Sequence, residues 1–272
     1  MTNPSWQPAL PYPRLRLVPR ARRPALADFR ARWQRPRVPV VLEGTTEDWP
    51  ARRWTPASLG AAHPAHEITA YVLRDGRIQL DPRTGFRVER MPLSRYVEAT
   101  VSAGGEVRWY LRCGLDALPP SLAAEVGPMR YADATRGLRR NLWFAAAGTI
   151  THLHFDLPFN LVAQLHGQKR FVLFAPRERR RLSPHGWLSS TPHLSRVDAE
   201  RPDFVRHPSL SDAEAWECVL EPGDALFIPP RWWHYARSLA TSISVNTWWA
   251  DPLTYPVMRL SDAYKRVRGL AI

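Results

Sequence analysis

From Asn141 onward the chain is cut by turns into short, mostly apolar stretches: Asn141–Ala146, Thr151–Phe155, Asn160–His166, Arg170–Phe174, Ala225–Ile228 and Ser242–Trp248. Many short strands at this spacing predict an antiparallel sandwich or barrel, the class to which jelly rolls belong. Pro222-Gly223 suits a type II turn, because proline fixes φ and glycine accepts φ > 0. Gly167-Gln168 reads as a tight hairpin between two apolar strands.

The first half is less regular. Residues 1–35 form a Pro/Arg-rich lead-in with a short helix expected over Ala25–Trp33. Strands are expected over Arg37–Leu42, Ile68–Leu73 and Val107–Leu111, and helices over Leu93–Val101 and Pro119–Val126. The tail Tyr255–Leu270 places Val257, Leu260, Ala263, Tyr264 and Val267 on one helical face, which packs on the core or on a second subunit. The expected organisation is a single domain: an N-terminal α/β elaboration over 1–105, a mainly β jelly-roll core over 106–250 and a C-terminal helix over 251–272.

One strand carries polar residues that need a reason to be buried. In Thr151-His152-Leu153-His154-Phe155-Asp156, residues two apart share a face, so His152, His154 and Asp156 point one way. Three metal-competent side chains on one face are costly to bury unless they bind something. Pairing His152 with His154 would normally bring a glutamate a few residues on, and none occurs before Glu178. Pairing His154 with Asp156 needs only one further histidine and is preferred, which leaves His152 lining the pocket or touching a ligand. Of the remaining histidines, His63, His66, His185, His193 and His207 lie in Pro-rich or polar segments and His166 at a turn. His234 follows Pro-Gly-Asp, an apolar strand and the pair Trp232-Trp233, and is the preferred third ligand. Two imidazoles and one carboxylate form the facial triad that holds non-haem Fe(II) and leaves positions open.

These residues carry a resemblance. His154-Phe155-Asp156, Asn160, Gln164, Gly167-Gln168-Lys169-Arg170, Pro222-Gly223-Asp224 through Trp233-His234, and Asn246-Thr247-Trp248 resemble the Jumonji-C, or cupin-8, family of Fe(II)- and 2-oxoglutarate-dependent oxygenases. The pattern is most similar to its protein- and tRNA-hydroxylase branch, asparaginyl hydroxylases included, and runs in order from about Val38 to Trp248. The resemblance implies a double-stranded β-helix with Fe(II) on His154, Asp156 and His234. It implies a salt bridge from Lys169 to the distal carboxylate of 2-oxoglutarate, helped by the Thr151 hydroxyl and the Tyr110 phenol, with Asn160 and Asn246 near cosubstrate and metal. Composition adds weight to Lys169: 36 of the 38 basic residues are arginine, so a lysine here asks for an explanation. A compact ammonium suits a confined carboxylate where a planar guanidinium would not fit.

The implied activity is hydroxylation of a C–H bond with dioxygen as co-reactant, foremost on an amino-acid side chain of a protein or peptide. Hydroxylation of a modified tRNA base or a small metabolite is the alternative, and a non-catalytic cupin-like binding module the third. Demethylation of methyl-lysine ranks below these, because no histone-reader module accompanies the domain. The net charge of +13 leans toward RNA or an acidic peptide, although arginine-rich coding alone could produce it. No apolar run approaches the ~18 residues of a transmembrane helix, and the first thirty residues lack a signal-peptide core, so a cytoplasmic address without membrane contact is expected. Cys113 and Cys218 form no pair motif and read as reduced thiols. A homodimer through the C-terminal helix is a further expectation.

Overall fold

The computed structural model describes residues 10–78, 80–81, 85–102, 109–132, 138–186, 189 and 191–267. Eight strands build the core, labelled here in chain order: β1 Arg139–Ala145, β2 Ile150–Phe155, β3 Phe159–His166, β4 Lys169–Phe174, β5 Glu214–Leu220, β6 Ala225–Ile228, β7 Trp233–Ser238 and β8 Ser242–Trp249. They divide into two facing sheets, and the chain crosses from one to the other at every connection except that from β4 to β5. One has the order β1-β8-β3-β6 and the other β2-β7-β4-β5, all neighbours antiparallel. This is the double-stranded β-helix expected from the sequence. The first sheet is widened by Trp109–Gly114, Glu67–Arg74 and Val88–Pro92 beyond β1, and by Val40–Glu43 and Arg20–Arg22 beyond β6.

The period-two alternation of the strands sorts their side chains into three layers. Outward from the wide sheet, Leu161, Ala163, Val245, Trp249 and Phe227 join Phe29, Trp33, Leu59, Tyr96 and Leu122 of the N-terminal helical segments in the largest core cluster. Phe159 lies near-parallel to Trp249 at 5.3 Å there, a pairing worth about 0.5–1.5 kcal/mol beyond area burial. Outward from the other sheet, Val172, Phe174, Trp233 and Tyr235 pack on Leu182, Val197, Ala199 and Leu210, from the long excursion between β4 and β5. Between the sheets, Phe171, Leu173, Val162, Leu226, Ile228 and Ala236 fill one end. The other end is left to polar residues.

Gly167-Gln168 is not the hairpin that the sequence suggests. β3 and β4 lie in different sheets, so the pair turns a corner between them. Gly167 has φ +67°, and a Cβ there would sit 2.1 Å from the Thr241 carbonyl oxygen, so only glycine makes this turn without strain. Pro222-Gly223 behaves as expected: Gly223 has φ +112° and Asp224 N–H donates to Glu221 O across the turn.

The expected helix over 25–33 is one α-helical turn, Leu26–Phe29, running into a π-helical turn, Arg30–Gln34. Helices occupy Leu93–Val101 and Pro120–Glu125. The strand expected over 107–111 is described as Trp109–Gly114, since 107 and 108 fall outside the described residues. The tail forms a helix over Thr254–Val267. Val257 and Leu260 on it are exposed, so it does not pack that face on the core, and the side chains of Tyr264 and Val267 are outside the described set. Among the described residues no helix is long and apolar enough to cross a membrane. Both cysteines are free.

Candidate metal centre

β2 and β7 are hydrogen-bonded neighbours, and their register sets His154 opposite His234. Asp156 follows the end of β2. Its carbonyl accepts the Arg231 N–H at 2.8 Å, which ties it to the turn between β6 and β7. That turn, closed by Trp232 N–H to Pro229 O, delivers His234 onto β7. Ligand atoms of His154, Asp156 and His234 all lie within 4.8 Å of one another.

The imidazoles are held by their backs. His154 Nδ1 lies 2.7 Å from the carbonyl of His152, and His234 Nδ1 lies 3.0 Å from that of Trp232. A carbonyl only accepts, so each Nδ1 carries the proton and each Nε2 keeps its lone pair, the tautomer a metal requires. Burial, then the neighbouring His154, lowers the His234 pKa to about 4, which keeps the ring neutral. Burial opposes ionisation of Asp156, but the facing His154 and His234 outweigh it and hold the carboxyl below its ordinary value. Asp156 Oδ2 is buried with no hydrogen-bond partner, 3.7 Å from His234 Nε2. Two inward lone pairs and an orphaned carboxylate oxygen fit a divalent cation of the iron type.

The bulge in β2 changes which neighbours share this face. Pairing with β7 slips between Thr151 and His154, so Ile150 and Leu153 both enter the outer core while Thr151, His154 and Asp156 turn inward. His152 therefore does not join the ligand face, contrary to the simple alternation. It sits in the bulge beside Arg77 and Asp198, its pKa lowered by burial and then by Arg77.

The remaining residues singled out in the sequence converge on the same interior. Lys169 is 6% exposed, and its Nζ donates to Ser244 Oγ at 2.7 Å. Among the described residues it has no carboxylate partner, and burial drives its pKa down to about 7. Tyr110 and Thr151 share a side-chain hydrogen bond, and burial raises the phenol's pKa. Asn246 Oδ1 accepts from Trp143 Nε1 at 2.8 Å and Asn141 Nδ2 at 3.0 Å, and its Nδ2 donates to Asn160 Oδ1 at 3.2 Å. An indole N–H can only donate, which fixes the orientation of the Asn246 amide.

Sequence reasoning passed over three groups at this site. Ser244 is the hydroxyl that receives Lys169. Trp143 lies two strands from Asn160 and bridges to it through Asn246. Arg112, two residues after Tyr110 and so on the same inner face, places its guanidinium 5.1 Å from the Trp143 ring and 5.3 Å from the Trp248 ring. The alternation of Tyr110 and Arg112 was the available signal for the last.

The cupin-like domain family matches residues 26–255. The chain is 33% identical over 240 residues to lysine-specific demethylase 8 of Danio rerio, covering 86% of this chain and 58% of that protein. It is 28% identical over 260 residues to tRNA wybutosine-synthesizing protein 5 of Gallus gallus, covering 89% and 78%. It is 25% identical over 280 aligned positions to the bifunctional peptidase and (3S)-lysyl hydroxylase JMJD7 of Homo sapiens, covering 91% and 89%. The chain thus spans little more than half the length of the first of these.

Proposed function

The chain belongs to the Jumonji-C, or cupin-8, family of cupin-like domains, and on that premise we propose that it hydroxylates an amino-acid side chain of a protein or peptide. Fe(II) and 2-oxoglutarate are the cofactor pair of this family. Bound together with dioxygen they supply the oxidising chemistry, in which 2-oxoglutarate is decarboxylated to succinate and one oxygen atom enters a C–H bond.

The observation that carries the reading is Lys169. A buried ammonium with one hydroxyl partner and no counterion is costly unless an anion arrives to meet it. It stands on the interior wall of the same barrel as three inward-facing metal donors. We assign His154, Asp156 and His234 as the iron ligands and Lys169 as the partner of the distal carboxylate of 2-oxoglutarate. The Tyr110 and Thr151 hydroxyls, already hydrogen-bonded to each other, are available to the same carboxylate. Asn160 is positioned by Asn246, whose own amide oxygen is committed to Asn141 and Trp143. The protein's part is to bind, orient and exclude water, while the metal carries the hard step.

A peptide is preferred over RNA because four arginines of the lead-in are engaged by carboxylates. Arg20 pairs with Glu43 and Asp224, Arg22 with Glu47, Arg23 with Asp48 and Arg16 with Glu214. Hydroxylation of a tRNA base is the second reading, favoured by the likeness to a wybutosine-synthesizing protein and by the net charge of +13.

The test is conversion of 2-oxoglutarate to succinate by the purified chain with Fe(II), without prime substrate and then with peptide pools or tRNA. Succinate is expected from the wild type and not from Asp156→Ala. The Asp156→Ala chain should also bind Mn(II) more weakly by upwards of ~100-fold, since losing even a residue that orients a ligand costs 10–100-fold. Absence of turnover in the wild type under every metal condition would establish a binding module instead. Stimulation by tRNA and not by peptides would establish the second reading.

A further inference from the structure

We propose that Arg112 sets the substrate class, and that the side chain or chain end entering beside the metal carries a carboxylate. The proposal builds on the preceding reading that this interior is the reaction chamber.

Arg112 lies in the strand Trp109–Gly114 directly opposite Trp143 of β1, on the inner face with Tyr110. Its guanidinium lies over two indoles, Trp143 and Trp248, whose rings meet edge-on with centroids 6.4 Å apart. Contact with aromatic rings satisfies none of the guanidinium's N–H groups as hydrogen-bond donors, and these suit a planar, two-oxygen acceptor. Among the described residues they meet no carboxylate and no hydrogen-bond acceptor. A second donor on the same wall is also unspent: Trp248 Nε1 is buried without a partner, whereas Trp143 Nε1 is satisfied by Asn246. Two donors lacking an acceptor on one wall ask for oxygen from outside.

The distribution of acids points the same way. Asp156, just past the end of β2, belongs to the metal triad, and Glu214, which shares the inner face of β5 with Trp216 and Cys218, is taken up by Arg16 and Arg177. A lysine side chain entering this chamber would therefore find no counterion and would face a guanidinium of its own sign. The lysine chemistry named for two of the relatives is thus not what this wall is built to receive.

The experiment measures equilibrium binding to the Mn(II)- and 2-oxoglutarate-loaded protein, so that no turnover is needed. The probes are blocked tripeptides carrying aspartate, glutamate or lysine at the centre, a tripeptide with a free C-terminal carboxylate, and adenosine 5′-monophosphate. The wild type is expected to bind a carboxylate probe at least about tenfold tighter than the lysine probe, the range a hydrogen-bonded charge supplies. The aspartate and glutamate probes against the free C-terminus distinguish a side-chain carboxylate from a terminal one. Arg112→Gln should abolish the preference and Arg112→Glu should reverse it. Arg112→Lys, which keeps the charge and loses the fork, should retain only part, and it serves where the other variants fold poorly. Equal or tighter binding of the lysine probe to the wild type, or a preference surviving in Arg112→Gln, overturns the proposal. Arg112-dependent binding of the nucleotide without any peptide binding overturns it in favour of RNA. Loss of succinate formation by the wild type would instead count against the oxygenase reading and leave this binding result standing on its own.

Discussion

Lys169 is charged in water and buried here with a single hydroxyl partner, and that conflict makes it measurable. Its pKa falls to about 7 in the folded, empty protein, against an ordinary value of 10.5. Between those values the unfolded chain binds more protons than the folded one, so the stability of the empty protein should rise as pH increases through that window. Below about 7 the lysine is protonated in both states and the dependence vanishes. Lys169→Met should flatten this part of the stability–pH curve, read by urea denaturation at several pH values. A bound carboxylate restores the ammonium, so binding of 2-oxoglutarate above pH 7 should take up close to one proton, measured calorimetrically in buffers of different ionisation enthalpy. Lys169→Met should lose the uptake and weaken binding by about 2–5 kcal/mol, the usual cost of truncating a buried charge pair. At this scale the sequence was informative where chemistry is rare. A lysine among arginines and a His-x-Asp pair stand out in print, whereas Arg112 is hidden among 36 arginines and only its partners distinguish it.

At the scale of elements, the sequence spoke through apolar runs and fell silent where a strand buries charge. β5 was not anticipated because Glu214 and Glu217 interrupt it. In the fold Glu217 is buried and meets Arg170 of β4 at 2.6 Å, so the two polar residues complete each other across the sheet. β7 was hidden for a similar reason, its inward His234 alternating with outward Trp233, Tyr235 and Arg237. The bulge in β2 was invisible because it is set by pairing with β7, not by local sequence, and it exchanges Thr151 for His152 on the inner face. The corner at Gly167 has the same origin, since the crossing between sheets depends on partners distant in the chain. Gly167→Ala should destabilise the fold by more than the ~1–3 kcal/mol of a strained backbone alone, because its Cβ also meets Thr241 O at 2.1 Å. Chemical denaturation checks this, and a loss below 1 kcal/mol would mean that the corner relaxes freely. Lys169 begins the strand that follows the corner, so the same variant should weaken 2-oxoglutarate binding, a link between turn geometry and site.

For the whole molecule, the charge balance is less lopsided in space than in the sequence, because the arginine-rich lead-in is fastened to the sheets by carboxylates rather than left as a basic arm. An uncovered apolar stripe lies at the other end of the chain. The helix Thr254–Val267 is started by Asp251, whose Oδ1 accepts the Thr254 N–H at 2.6 Å and whose Oδ2 pairs with Arg37. Leu253 and Leu260 are 80% and 72% exposed, with Val257 between them, a spacing of four and three residues that draws one apolar stripe. A helix of 14 residues is marginal by itself in water and owes its stability to packing of such a stripe. The core does not supply that packing, and a second copy of the chain presents the same stripe for a two-fold contact. We therefore expect a dimer at micromolar concentration, and expect the paired substitution Val257→Arg with Leu260→Arg to yield a folded monomer by light scattering. A wild type that is monomeric across the concentration range would refute the dimer. A variant that stays dimeric would move the interface elsewhere. Because the helix follows β8 after a short link, and β8 carries Ser244, Asn246 and Trp248 into the chamber, the paired substitution should also loosen the wall on which Arg112 rests.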